Sequence, residues 1–180
     1  MERTKPFLKW AGGKYRCIDQ VLKALPKGTR LVEPFAGSGA VFLNAPYTQF
    51  LLNDANADLI ALYTHLKQEG MQFIQYCKKF FDQANNQAEC YYAYRVAFNQ
   101  IKIGSRRRAA LFLYLNRHGY NGLCRYNLSG QYNVPFGRYV KPYFPDKELL
   151  FFYQKSQSAE FTTADFKQTF LNTKPGDIVY

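Results

Sequence analysis

"RLVEPFAGSGAVFLN", residues 30–44, is the stretch on which the fold turns. Its first part, "RLVEPF" (30–35), is a short apolar run released by Pro26 and Gly28, and it predicts a buried strand. Gly37 and Gly39 follow, where backbone can turn and approach a ligand closely, and "AVFLN" continues as a helix. "QFLLND" (49–54) is a second buried strand with a polar end. Strand, glycine turn, helix, strand opens a doubly wound α/β fold. Much later, "AEFTTADF" (159–166) and "GDIVY" (176–180) predict two more strands, with a helical segment from Asp146 before them. Three or four strands are fewer than an independent domain of this class usually has, so the sheet reads as incomplete.

Between these halves the alternation stops. "ADLIALYTHLK" (57–67), "AECYYAYRVAFNQI" (88–101) and "SRRRAALFLYLNRH" (105–118) carry helical apolar spacing, and "RYNLSGQYNVPF" (125–136) predicts a hairpin turning near Ser129 and Gly130. The expected organisation is a core part over 1–56, a helical region with a hairpin over 57–144, and a return to the sheet over 145–180. The charge is concentrated in the middle. Residues 57–144 hold twelve Lys and Arg against four Asp and Glu, +8 of the chain's +11. Such an excess favours an anionic partner, nucleic acid ahead of a membrane surface. Arg106, Arg107 and Arg108 open a helix whose dipole they oppose, a local cost that points to an outside partner such as phosphate.

Other classes fit poorly. No apolar run approaches the ~20 residues of a membrane span, and no secretory signal opens the chain. Cys17, Cys77, Cys90 and Cys124 are scattered without a C-x-x-C pair, which fits reduced thiols in the cytoplasm better than a disulfide frame or a metal site.

The glycine turn lacks the third spaced glycine of a dinucleotide fingerprint and has no G-K-[ST], so pyrophosphate fits badly. Asp54, at the end of the next strand, can accept from both hydroxyls of a ribose. "FLKWAGGK" (7–14) adds the only tryptophan, Trp10, two glycines and Lys14: a flat apolar face with a cation suited to an amino-acid carboxylate. A nucleoside joined to an amino acid meets both demands, and S-adenosylmethionine is the candidate.

"FLKWAGGK", "EPFAGSGAVF" (33–42), "NDAN" (53–56), "YLNRHGYNGLCRYN" (114–127) and "NVPFGRYVKPYF" (133–144), in this order, resemble the DNA adenine methyltransferases of the Dam family. The resemblance implies a Rossmann-like class I methyltransferase core, α/β, carrying a helical, basic target-recognition insertion. It also implies methyl transfer from S-adenosylmethionine to the exocyclic amine of adenine in duplex GATC by base flipping. Carried over, Trp10 and Lys14 border the cofactor, Gly37 and Gly39 admit its methionine end and Asp54 holds the ribose. Glu33 orients the glycine loop or the cofactor ammonium, and Asp165 and Phe166 meet the adenine. On the DNA side, Arg125 and Lys9 are assigned to guanine edges, and Leu123 and Pro135 to a thymine methyl with Tyr139 near them. Tyr120 and Asn121 fill the gap left by the flipped adenine, a step costing a few kcal/mol. Arg95, Asn127, Asn133 and Arg138 are phosphate contacts, important for affinity but silent about sequence. His118 stands where a tyrosine is expected.

Family members handle the amine with a D-P-P-Y motif placed after a "GDIVY" type of strand, and these 180 residues contain no D-P-P-Y. The expectation is the N-terminal portion of an adenine methyltransferase, nucleoid-associated in the cytoplasm, needing no metal and inactive as it stands, with no catalytic residue assigned. The rivals are a non-catalytic, sequence-specific DNA-binding module, a nicotinamide-dependent oxidoreductase suggested only by the glycine turn, and an RNA-binding protein, for which the aromatic-rich strand is missing. Replication control, mismatch repair and restriction protection are roles the sequence does not separate.

Overall fold

The computed structural model describes residues 3–180. After a 3-10 turn at Lys14–Cys17 the elements are α1 (Ile18–Ala24), β1 (Arg30–Glu33), α2 (Ala40–Asn44), β2 (Gln49–Asn53), α3 (Ala57–Glu69), α4 (Met71–Lys78), α5 (Ala88–Gln100) and α6 (Arg106–His118). A tight turn at Tyr120–Gly122 follows, then α7 (Asp146–Ser156), β3 (Ala159–Thr162), α8 (Phe166–Leu171) and β4 (Ile178–Val179).

The four strands are all parallel, in the order β3-β2-β1-β4. Leu31 pairs with Phe50 on one side and Ile178 on the other, and Leu52 of β2 pairs with Phe161. Parallel strands covered on both faces read as unbroken apolar runs, which is why "LV" and "FLL" are buried without alternation. The chain runs outward from β1 through β2 to β3 and then crosses back to place β4 on the other side of β1. The crevice beyond the carboxyl ends of β1 and β4 is therefore the topological switch point, where folds of this kind take their ligands.

The three helices expected between the halves form, and α4 forms as well. Gly70, at φ +52, separates α3 from α4, because a side chain there would strike the Tyr153 ring at 2.6 Å. Phe73, Ile74 and Cys77 then bury one face of α4. Asn56 starts α3 by accepting from the amides of Asp58 and Leu59, both at 3.1 Å. α6 is the central post, buried from Arg108 through Asn116 and packed against α3, α4 and α5. The helical segment shares its core with the sheet. Tyr63 of α3 lies 4.6 Å from Phe152 and 5.6 Å from Phe161 between ring centroids, and Phe7 meets both Tyr63 and Phe152 edge-on. The hairpin exists as two isolated antiparallel bridges, Gly119 with Phe136 and Tyr126 with Tyr132, and Gly130 turns it at φ +70.

The arginine run corrects the sequence reading. Arg108 points inward, with only 6% of its surface exposed. Its Nε and Nη2 donate to the two carboxylate oxygens of Asp58 at 2.5 and 3.0 Å, and its Nη1 donates to the carbonyls of Phe98 and Ile101. Arg106 pairs with Glu69 and covers the Tyr76 ring. The compensation for positive charge at this helix start thus comes from carboxylates on α3, and Arg107 alone of the three is exposed. Tyr126 also donates to Asp58, at 2.8 Å, tying the hairpin to the pair.

Breaking this buried pair leaves a charge with no partner. Asp58→Asn is expected to cost ~3–5 kcal/mol of unfolding free energy in urea, and Asp58→Leu with Arg108→Met to recover most of it. A cost for Asp58→Asn below ~1 kcal/mol, the range of exposed pairs, would show that the ion pair is not buried in solution.

Candidate functional site

The glycine turn is held at one residue. The Gly37 N–H donates to Asp54 Oδ2 at 2.9 Å, and the Gly37 carbonyl accepts from the Tyr63 hydroxyl at 2.5 Å. Asp54 Oδ1 accepts from the Asn56 amide at 2.9 Å, so the carboxylate is itself fixed. Burial, with Asp54 and Glu33 close by, pushes the Tyr63 phenol well up, which keeps its hydroxyl a donor. Gly37 adopts φ +49 and Gly39 φ +70, conformations other residues adopt at a cost.

In front of the turn lies an open cavity of about 370 Å³ at the β1/β4 switch point, walled by Trp10, Gly13, Lys14, Phe35, Gly37 and Tyr180. Trp10 rests on the bare glycine: a Cβ at Gly37 would lie 2.9 Å from the indole Nε1. Trp10, Lys14 and Gly37 are thus brought together. Gly39 and Asp54 do not line the cavity and act on the turn instead. Asp165 caps α8, accepting from the Lys167 amide at 2.9 Å, and Phe166 reaches the rim through Phe35, 5.4 Å away between ring centroids.

Glu33 ends β1 with 2% exposure, and its Oε1 has no hydrogen-bond partner among the described residues. Burial pushes its carboxyl up to about 8, against a smaller opposing pull from the Phe42 backbone and Lys155. Glu33 does not line the cavity, and up to about pH 8 its buried carboxyl is neutral.

Two residues of this region carried no role in the sequence reading. Phe35 is 70% exposed beside the turn and lines the cavity. Asn53, buried, donates to the carbonyls of Pro34 and Ala164, each at 3.0 Å, and accepts from Thr162, so one side chain fixes the backbones next to Phe35 and Asp165. The signal was a lone polar residue closing the apolar run of β2.

The second surface is built on the C-terminal end of α6. The Tyr120 amide donates to the Pro135 carbonyl at 2.9 Å, and the Gly137 amide to the His118 carbonyl at 2.8 Å, clamping the turn to the returning hairpin arm. Tyr120 is 52% exposed, and Asn121 takes φ +52 at the tip. Arg125 is exposed and oriented: its Nε donates to Asn133 Oδ1 at 2.8 Å and its Nη2 to the Asn133 carbonyl at 3.3 Å. Among the described residues its Nη1 has no partner, so the Nη1/Nη2 edge faces out for a bidentate acceptor. Lys9 Nζ stands 3.8 Å over the Tyr139 ring. Pro135 and Arg138 are exposed, the latter at φ +53. Others are engaged within the protein. Asn127 Oδ1 accepts from the Ser129 and Gln131 amides and shapes the hairpin turn. Arg95 donates to the Val134 carbonyl at 2.9 Å, and half-buried Leu123 packs on the core. His118 is buried, stacked on Tyr114 at 4.0 Å, and burial lowers its imidazole to about 4.

With both surfaces described, comparison with known proteins gives the class. Residues 10–180 match the model of the D12 class N6 adenine-specific DNA methyltransferases. The whole chain is 48% identical to a DNA adenine methylase of Escherichia coli (strain K12) and to one of Salmonella typhi, covering 64% of each. It is 47% identical to a DNA adenine methylase of Vibrio cholerae serotype O1, covering 65% of it. The chain therefore belongs to the D12 class N6 adenine-specific DNA methyltransferase family. It spans less than two thirds of the length of these relatives.

Glu33 makes stability depend on pH in a known direction. Its carboxyl holds a proton in the folded chain up to about 8, while the unfolded chain releases it near the ordinary 4.5. The folded state binds more protons in that window, so this contribution is present below about 4.5 and is lost as pH rises to about 8. Melting of the parent and of Glu33→Gln from pH 5 to 8 should show the parent losing stability relative to the variant, by on the order of a few kcal/mol. Parallel curves would mean that Glu33 reaches water.

Proposed function

We propose that this chain binds S-adenosylmethionine in the Trp10–Gly37 cavity and a GATC duplex on the Tyr120–Arg125 face, as part of an enzyme that methylates the exocyclic amine of adenine. The observation that carries the reading is that Lys9 and Trp10 are consecutive: Lys9 stands on Tyr139 at the edge of the reading face, and Trp10 walls the cavity. A base drawn out of the duplex beside Tyr120 thus has a short path to the cofactor.

Two cavity residues fit parts of the cofactor: the Lys14 ammonium is a partner for a carboxylate and the Phe35 ring for a flat heterocycle. Glu33 is outside the lining and acts on the strand end that leads into the glycine turn. Asp54, outside the lining, acts through the Gly37 N–H that it accepts from. Bound there, S-adenosylmethionine supplies an electrophilic methyl group on a sulfonium. The chain's own residues do the rest by placement. Asn133 holds Arg125 so that its outer edge can take guanine O6 and N7, the commonest specific major-groove contact. Tyr120, presented with Asn121 on a clamped turn, can fill the space a flipped adenine leaves. Arg107 and Arg138 can neutralise phosphates, which adds affinity without sequence preference. No group in these residues is assigned to polarise the adenine amine. The cytoplasm, where the nucleoid lies, is the compartment this reading requires.

Binding to GATC and scrambled duplexes over a salt series tests the reading. Arg125→Ala should reduce the preference for GATC by roughly 5- to 150-fold. Arg107→Ala should weaken both duplexes equally and lower the salt slope by about one. Equal losses on both duplexes for Arg125→Ala would remove the recognition assignment. DNA binding with no affinity for S-adenosylhomocysteine would leave a sequence-specific DNA-binding module instead.

A further inference from the structure

Asn116 lies outside the cavity lining and beneath the Tyr120–Gly122 turn, and it holds the chain next to both. It lies in α6 with 1% exposure. Its Oδ1 accepts from the Lys9 amide at 2.9 Å, and its Nδ2 donates to the Lys9 carbonyl at 2.8 Å and to the Gly122 carbonyl at 3.1 Å. The side chain thus meets Lys9 as an adjacent strand would, with one donor and one acceptor, and uses its remaining N–H on the reading turn. Neither backbone group of Lys9 has a backbone partner among the described residues, so Asn116 supplies both of its hydrogen bonds. Gly122 sits against this joint at φ +61, and a side chain there would overlap Lys9 Cβ. The next residue after Lys9 is Trp10, the wall of the cavity.

We propose that Asn116 is a positioning residue through which cofactor binding and duplex recognition strengthen each other. The inference rests on the functional reading above. A duplex seated on Tyr120 and Asn121 fixes Gly122. A cofactor against Trp10 fixes Lys9. Because one buried amide is hydrogen-bonded to both, the ordering imposed by the first ligand is already present for the second, which then binds at a lower entropic cost. The effect is reciprocal, as linkage demands. α6 suits this role because it is buried from Arg108 through Asn116 and packs against α3, α4 and α5.

Asn116→Asp keeps the shape and the acceptor for the Lys9 amide but loses both donations. The affinity of the 180-residue chain for S-adenosylhomocysteine is measured with and without saturating GATC duplex, for the parent, Asn116→Asp and Asn116→Ala. The parent should bind the probe more tightly with duplex, within the roughly 5- to 150-fold range usual for coupled sites. In the variants that ratio should fall to about one, with a cooperative melting transition retained. A merely structural role would weaken each ligand and leave the ratio unchanged, and that result would overturn the proposal. Hydrogen exchange on the parent needs no variant to fold: duplex alone should slow the Lys9 amide, and an unchanged amide would also overturn it. A parent that binds neither probe would remove the functional reading, and this inference with it. A parent that binds both with a ratio of one would remove the inference alone.

Discussion

Gly37 is the fixed point of this molecule. Its N–H is taken by Asp54 and its carbonyl by Tyr63, so a residue with φ +49 is held from two elements at once. Tyr63 in turn belongs to the aromatic cluster of Phe7, Phe152 and Phe161, which joins the N-terminal segment, α7 and β3. The shape of the cavity is therefore inherited from the hydrophobic core. A change in packing around Tyr63 would reach the ligand side through a single hydrogen bond.

The same economy links the two surfaces. Trp10 can lie on Gly37 only because no side chain grows there, and the Tyr120–Gly122 turn can lie on Lys9 only because Gly122 is bare. Two glycines, one on each side of the Lys9–Trp10 dipeptide, let backbones approach where side chains would hold them apart. α6 carries this arrangement as a buried post whose charge is satisfied inside, by Asp58 for Arg108. Its outer turn then presents Tyr120 and Asn121, and Asn133 aims Arg125.

Much of the fold was legible because its signals are local. The "LVEPFAGSG" transition, the buried runs of β1 and β2 and the apolar period of α3, α5 and α6 each need only neighbouring residues to be read. Gly70 hid α4, since a glycine between two apolar stretches reads as a loop until the Tyr153 ring behind it is known. The arginine run was misread for a related reason: three adjacent charges look alike in sequence, whereas the helix turns them about 100° apart, one to Glu69, one to solvent and one to Asp58. Within the site, Trp10, Lys14 and Gly37 were legible as types suited to a ligand. Phe35, Asn53 and Asn116 were not, because each has its partner in a distant part of the chain: Phe166, Ala164 and Lys9.

The central claim is that the cavity between Trp10 and the Gly37 peptide takes the cofactor. Emission from Trp10, the only tryptophan in the chain, reports on that cavity directly. Titration with S-adenosylhomocysteine should change it saturably in the parent. In Gly37→Ala, where the new methyl meets the indole, the response should be lost while a cooperative melting transition remains. A Gly37→Ala chain that melts normally and binds the probe as the parent does would contradict the account.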